Sequence, residues 1–273
     1  PPRYLELVKT MRALYQREAE EIELRFPKLL RRVAGYNIES VSPNGHNMAR
    51  LLVGSEGTLA YFQRIHLDLQ PVIAHKALGV CHFPSFYKAM ESAQHIVKLK
   101  PTAVELVDRT MIELARANPA FRPVIERALI GQPEAILLVE FAGEEREPQL
   151  RDLQRLVELM GDLGLPGSVV EMPEPRPQAE LWEVRKAGLN IMMSMKGDGK
   201  PVSFIEDCAV PLEHLAEYTR RLTDVFTKHG TKGTWYAHAS VGCLHVRPVL
   251  NMKDESGAKK MRLIAEEAAL MVR

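Results

Sequence analysis

Apolar positions Tyr4, Leu7, Val8, Met11, Leu14, Tyr15 and Ile22 recur at helical spacing, with Arg17, Glu18, Glu20, Glu21 and Glu23 on the opposite face. The pattern predicts a long amphipathic opening helix. Gly35, Pro43, Asn44 and Gly45 then punctuate a loop-rich stretch, followed by the short run Leu51-Leu52-Val53 and the tight Gly54-Ser55-Glu56-Gly57. Leu59, Tyr61, Ile65, Leu67 and Leu69 roughly alternate, which predicts a strand from Thr58 to about Leu69, ending at Pro71.

Beyond Pro71 the rhythm becomes strand, helix, strand. Ala77 to His82 reads as a strand, Ser85 to Leu99 as a helix bounded by Pro84 and Pro101, and Ala103 to Val107 as a short strand. The near-continuous apolar run Ala135 to Phe141 has the pattern of a strand buried on both faces. Leu150, Leu153, Val157, Met160 and Leu163 mark a helix closed by Gly164, and Ser168 to Met172 a further strand. Pro173 to Pro177 reads as a stiff linker leading to a helix from Ala179 to about Met195. A strand is predicted over Ser203 to Val210, then a helix opened by Pro211 and ended by Gly230. Thr234 to His238 and Leu244 to Leu250 read as paired strands, and a last helix begins near Ser256. Strand–helix–strand units with antiparallel returns predict an α+β fold of ferredoxin-like type.

Composition narrows the function classes. Lys and Arg number 36 against 35 Asp and Glu, a formal net charge of +1, so nothing marks a nucleic-acid or membrane-surface footprint. The apolar runs stop well short of the roughly 18 residues of a membrane span. Cys81, Cys208 and Cys243 form no C-x-x-C and no even-numbered framework, which fits a reducing cytoplasm and no iron–sulfur cluster within the chain. The opening Pro1-Pro2-Arg3-Tyr4 lacks an initiator Met and any targeting segment, so the chain reads as a fragment of something longer.

Three segments carry candidate chemistry. In Gly54-Ser55-Glu56-Gly57-Thr58 the two glycines allow close backbone approach to a ligand, and amides with the Ser55 and Thr58 hydroxyls suit a pyrophosphate or flavin edge; the alternative is a tight turn between two strands. In His238-Ala239-Ser240-Val241-Gly242-Cys243-Leu244-His245, a reversal between Val241 and Gly242 sets His238 directly across from His245, where two imidazoles can share a metal; the alternative is a pair of ordinary strand histidines. Cys243 shares the His245 face, so its thiol either approaches that site or packs, and packing is the favoured reading. In Leu181-Trp182-Glu183-Val184-Arg185-Lys186-Ala187-Gly188, Arg185 on a helix presents a bidentate fork to a carboxylate, or is merely solvated.

Taken in order, these segments resemble the FAD-linked oxidase branch of the vanillyl-alcohol-oxidase/p-cresol-methylhydroxylase flavoproteins, which includes D-lactate dehydrogenases, the glycolate oxidase flavin subunit and D-2-hydroxyglutarate dehydrogenase. Gly35-Tyr36-Asn37 followed by Leu51 to Leu59 resembles the close of the family's FAD-binding domain. Glu206-Asp207-Cys208-Ala209-Val210-Pro211 is similar to its strand-to-helix step, Ala237 to His245 to its Gly-His…Gly-Asn-x-His signature, and Arg185 to the Arg of its W-x-x-R helix. Departures exist: Cys243 replaces Asn, Ser240-Val241-Gly242 replaces Gly-Asp-Gly, Arg247 replaces an Asn, and Leu189 stands where hydroxyglutarate enzymes carry Thr.

The resemblance implies that residues 1–70 end a FAD-binding domain and 71–273 form a substrate or cap domain truncated at its C-terminus. The glycine-rich lobe is expected before Pro1 and a Glu-His-Gly segment after Arg273. It implies FAD along Gly54, Ser55, Glu56, Gly57 and Thr58, a divalent metal such as zinc on His238 and His245, Arg185 on the substrate carboxylate and Arg247 on a second acidic group. The implied reaction is oxidation of a D-2-hydroxy acid by hydride transfer to flavin. Electrons are expected to pass to a fused or partner iron–sulfur domain or to a quinone, in the cytoplasm or peripheral to the inner membrane. The rival class is a non-catalytic ferredoxin-like ligand-binding or interaction module with structural histidines, which would show no flavin absorbance.

Overall fold

The computed structural model describes residues 2–32, 35–42 and 47–272, and the chain divides between Pro71 and Val72 into two compact units. Pro43, Asn44 and Gly45, expected as loop punctuation, lie outside the described residues.

In the first unit the opening helix is α1 (Pro2–Arg25). Val8, Met11, Leu14 and Tyr15 are half-buried on its apolar stripe, and Ile22 is buried. A 3₁₀ turn (Ile38–Val41) and a short helix α2 (Met48–Leu52) follow. Asn47 starts α2 because its side chain accepts the N–H groups of Ala49 and Arg50 at 3.0 and 3.3 Å. The run Leu51-Leu52 is therefore helical, and the turn after it does not join two strands. The strand expected over 58–69 is likewise absent. Alternation says which positions would share a face, but a strand exists only when its backbone groups find a ladder. No described strand pairs here, and Tyr61, Ile65, Leu67 and Leu69 are exposed.

The second unit is built on one antiparallel sheet. Its first half contains β1 (His75–Phe83), α3 (Phe86–Ile96), β2 (Ala103–Asp108), α4 (Arg109–Ala117), α5 (Arg122–Ala128), β3 (Ala135–Gly143), α6 (Arg146–Asp162) and β4 (Val169–Met172). The spatial order β4-β1-β3-β2 is that of the expected ferredoxin-like α+β unit. There follow α7 (Pro175–Lys186), α8 (Gly188–Met193), the two-residue strands β5 (Lys200–Pro201) and β6 (Cys208–Ala209), α9 (Leu215–Lys228), β7 (Gly233–His238), β8 (Cys243–Leu250) and α10 (Glu255–Val272). β7 joins the sheet beside β2, β8 beside β7, and β5 and β6 both pair with β8.

Side-chain alternation divides the core. In β3, Ala135, Leu137, Val139 and Phe141 face the layer that includes α3, α6, α9 and α10, while Ile136 and Leu138 face α4, α5, α7 and α8, so this strand is buried on both sides. Asp108 closes β2 and caps α4, accepting the Met111 N–H at 2.8 Å and, across the sheet, the Trp235 N–H at 2.9 Å.

Several expected elements differ. Residues 109–128, to which the pattern assigns no element, hold α4 and α5. The expected linker Pro173–Pro177 contains the start of α7, because Pro175 occupies a first-turn position that needs no amide hydrogen. The helix expected over 179–195 is broken at Ala187 into α7 and α8. The strand expected over 203–210 shrinks to β6, since Asp207 has a left-handed φ of 60° that interrupts extended backbone.

Candidate functional site

The β7–β8 hairpin positions most of the candidate side chains. Its turn is a 3₁₀ segment (Ala239–Val241) closed by Gly242 at φ 67°. A Cβ at Gly242 would lie 2.1 Å from the Val210 carbonyl oxygen, so only glycine fits. His238 consequently pairs with Cys243, and Tyr236 with His245, a register two residues away from the expected His238–His245 pairing. A two-residue shift preserves facing, whereas one residue would have reversed it. The two imidazoles therefore meet diagonally, ring centroids 5.0 Å apart and edge to face. Tyr236 stacks on His245 with centroids 4.8 Å apart.

Glu105, opposite His238 on β2, joins these residues to α7. Its Oε1 accepts from His238 Nδ1 at 2.6 Å and its Oε2 from Arg185 Nη2 at 2.6 Å. The Arg185 and Glu105 side chains are 13% and 12% exposed, so the pair is largely withdrawn from water. Arg185 lies over Tyr236, its guanidinium carbon 4.9 Å from the ring centroid, and its Nε is buried without a partner. Burial, relieved in part by Arg247, raises the Tyr236 pKa, so its hydroxyl stays protonated at neutral pH.

Across the hairpin, His245 Nδ1 lies 2.9 Å from an oxygen of Asp207. Burial lowers the His245 pKa despite that carboxylate, and His238 works in the same direction, so the imidazole is neutral near pH 7. Asp207, Cys243 and His245 each offer one donor atom, all within 4.8 Å of one another. Arg247 is ion-paired with Glu206, both side chains mostly buried.

The structure thus brings Arg185, His238 and His245 around Glu105 and Tyr236, with Arg247 on the neighbouring strand position. Glu105 and Tyr236 went unassigned in the sequence. The available signal for Glu105 was a carboxylate inside the apolar run Ala103 to Val107.

Gly54, Ser55, Glu56, Gly57 and Thr58 belong to the first unit. Gly54, Glu56 and Gly57 have left-handed φ values of 78°, 51° and 76°, giving a tight turn pinned by the Thr58 N–H and hydroxyl on the Ser55 carbonyl at 2.9 and 2.6 Å. A Cβ at Gly57 would meet nothing within 4 Å, so the backbone there is open to a ligand. The Thr58 hydroxyl also meets that of Tyr36 at 2.8 Å, while the Ser55 hydroxyl is buried without a partner. An open glycine backbone beside an orphaned hydroxyl fits the edge of a flavin nucleotide. No described helix is long and apolar enough to cross a membrane.

Residues 73–273 match the family described as FAD linked oxidases, C-terminal domain. The chain is 30% identical over 267 residues to a D-2-hydroxyglutarate dehydrogenase of Pantoea ananatis, covering 93% of this chain and 26% of that protein. It is 30% identical over 206 residues to the mitochondrial D-lactate dehydrogenase (cytochrome) of Arabidopsis thaliana, covering 75% of this chain and 34% of that one. The solved structure of p-cresol methylhydroxylase with substrate bound superimposes with a TM-score of 0.54 at 13% identity, over 74% of this chain and 44% of that one, a likeness of fold. The chain therefore spans about a quarter to a third of the length of these curated relatives. With the family match covering most of its length, including the whole sheet and the side-chain cluster around Glu105, this chain belongs to the FAD-linked oxidases through their C-terminal domain.

Proposed function

We propose that the protein containing this chain is a FAD-dependent dehydrogenase that oxidises a D-2-hydroxy acid of the lactate, glycolate or hydroxyglutarate class. Residues 1–70 would complete the FAD-binding domain and 71–273 supply the substrate side. The observation that carries the reading is Arg185, a buried guanidinium with an unpartnered Nε, held on Glu105 beside His238. A buried, half-satisfied guanidinium is a built receptor for a carboxylate, and the names of the relatives point to 2-hydroxy acids.

Each side chain then has a task. Arg185 binds and orients the substrate carboxylate by its planar fork. Glu105 accepts a hydrogen bond from the His238 Nδ1–H, which leaves Nε2 as the basic nitrogen to accept the proton of the substrate hydroxyl. FAD, when bound, supplies the acceptor for the hydride from the α-carbon. His245, neutral and beside Asp207, is suited to a divalent ion, whose chemistry when bound is to polarise the hydroxyl and carboxylate oxygens. His238 is thereby assigned the proton rather than the ion. Arg247, engaged by Glu206, is the candidate for a second acidic group on the substrate. Electrons are proposed to leave through an iron–sulfur domain or a quinone, in the cytoplasm or at the membrane surface.

The test is anaerobic mixing of the full-length protein with D-2-hydroxyglutarate, D-lactate and glycolate while the flavin spectrum is followed. One of them should bleach the flavin, and Arg185→Lys should lower kcat/KM by about 100-fold or more, since an ammonium cannot reproduce the two-point contact. A flavin unchanged by all three acids, or an unaltered kcat/KM in the variant, would overturn the proposal.

A further inference from the structure

We propose that Glu140 and Trp182 are positioning residues for Arg185, their hydrogen bond fixing where α7 lies on the sheet and therefore where the guanidinium stands. The inference deepens the reading above and rests on it for the task of Arg185 at the substrate carboxylate.

α7 is seated by a row of polar side chains where an ordinary amphipathic helix offers apolar ones. Gln178, Trp182 and Arg185 are spaced four and three residues apart, one per turn on one face of the helix. Each is tied to a different part of the sheet. The buried Gln178 amide donates to the Lys76 carbonyl of β1 at 3.0 Å and to the Met172 carbonyl of β4 at 2.8 Å. The Trp182 indole Nε1 donates to Glu140 Oε2 on β3 at 2.9 Å, and Arg185 Nη2 to Glu105 Oε2 on β2 at 2.6 Å. The strand order β4-β1-β3-β2 repeats the order of the anchors along the helix.

The sheet presents its two carboxylates at matching positions. Ala103 pairs with Glu140 and Glu105 with Leu138, so Glu105 and Glu140 share one face and lie on a diagonal of about 7–8 Å. Leu181 and Val184 of α7 pack with Ile136 and Leu138 on that same face. Apolar packing holds the helix down without direction, whereas hydrogen bonds, being directional, set its rotation and its position along its axis. Glu140 is equipped for this: its side chain is 7% exposed and its other oxygen accepts from Lys76 Nζ at 3.0 Å, so both oxygens are engaged and the carboxylate is held in one orientation. Arg185 grips Glu105 through Nη2 while its Nε is buried and unpartnered, so the direction of that N–H follows from where α7 carries the backbone. Loss of the Trp182–Glu140 bond releases the helix one turn before Arg185, and a misplacement of about 1 Å at a substrate clamp is worth up to about 100-fold in rate.

The experiment uses the full-length flavoprotein and whichever of the three hydroxy acids bleaches it, with rates normalised to bound flavin. Trp182→Phe keeps an aromatic ring in the seat and removes the N–H, and KM should rise by about tenfold. Glu140→Leu should raise it as much, and Glu140→Gln, which offers the indole a carbonyl oxygen, should recover most of that loss. In an Arg185→Lys background, Trp182→Phe should change kcat/KM by less than about twofold, because residues that act as one unit are not additive. A merely structural role would lower the amount of loaded enzyme, leave KM unmoved and leave the two substitutions additive. An unaltered KM in Trp182→Phe and Glu140→Leu, or full additivity with Arg185→Lys, would overturn the positioning role. Should Arg185→Lys itself still cost about 100-fold in that case, the substrate reading stands without it. An Arg185→Lys protein as active as wild type, or a flavin that none of the acids bleaches, would sink both.

Discussion

Glu105 holds the cluster together with a single carboxylate, one oxygen on a guanidinium and the other on an imidazole. Losing it would strand the largely buried Arg185 charge and free His238 to choose its tautomer, so both roles proposed for these two residues depend on it. A buried histidine elsewhere, His82, shows what the same physics does without a carboxylate. His82 Nε2 accepts the Ile130 N–H at 3.0 Å, so its Nδ1 carries the proton and donates to the Ser168 carbonyl at 2.9 Å. Burial lowers its pKa, since the cation would confront Ile130 with a second donor. The folded-state pKa therefore lies below the unfolded value of about 6.5. Above that pH both states are neutral and the full contribution is present; below it the unfolded chain takes a proton that the folded one refuses, and stability falls. Urea unfolding from pH 7.5 to 5 should show wild type losing up to about 1.4 kcal/mol per pH unit relative to His82→Gln below pH 6.5. Parallel curves for the two proteins would refute this assignment of the tautomer.

At the scale of elements, Asp108 ties a strand end, a helix start and a neighbouring strand through two accepted N–H groups. Burial pushes its pKa up to about 6, so between roughly 3.9, the unfolded value, and 6 the folded state holds a proton the unfolded chain has lost. Its contribution is full below that window and is lost as pH rises through 6, which makes the ionised carboxylate at neutral pH a cost offset by its two hydrogen bonds. Asp108→Ala leaves both N–H groups buried and unpaired and should cost roughly 2–4 kcal/mol at pH 7. Asp108→Asn keeps one acceptor, removes the buried charge and should cost less. Equal stability of wild type and Asp108→Ala would refute this account. The same element shows what the sequence makes legible. Asp108 preceding Met111, Ile112 and Ala115 was a readable helix start at a segment left unassigned. Periods of two and 3.6 located β1, β3, α6 and the β7–β8 pair, because those patterns are written locally. Glu105 meets His238 across 133 residues of sequence and Arg185 across 80, contacts set by the β2–β7 pairing and the seat of α7, which no local pattern encodes. Asp207 was legible only as part of a motif, since its left-handed backbone, rather than its type, turns it toward His245.

At the scale of the molecule, the two units differ in how much each buries. Both apolar clusters lie wholly beyond Val72, one on each side of the sheet, and every β pairing is internal to that unit. Among the described residues of the first unit, only Ile22, Val41, Leu51 and Ser55 are buried, while Tyr4, Leu24, Leu30, Tyr61, Leu67 and Leu69 are each more than half exposed. Burial on that scale cannot offset the conformational entropy of ordering some seventy residues, which costs roughly 1–2 kcal/mol each. A protein beginning at Val72 should therefore unfold in urea in one cooperative transition, with a midpoint within about 0.3 M of that of the whole chain, because the area exposed on unfolding resides in the sheet and its two helix layers. Residues 1–71 alone should give a shallow, non-cooperative change in helix signal, because α1, with only Ile22 buried, and the short α2 lack the tertiary packing from which most helical stability comes. Aggregation or a molten unfolding profile of the chain begun at Val72, or a sharp transition from residues 1–71, would show that the first unit contributes structure the sheet needs.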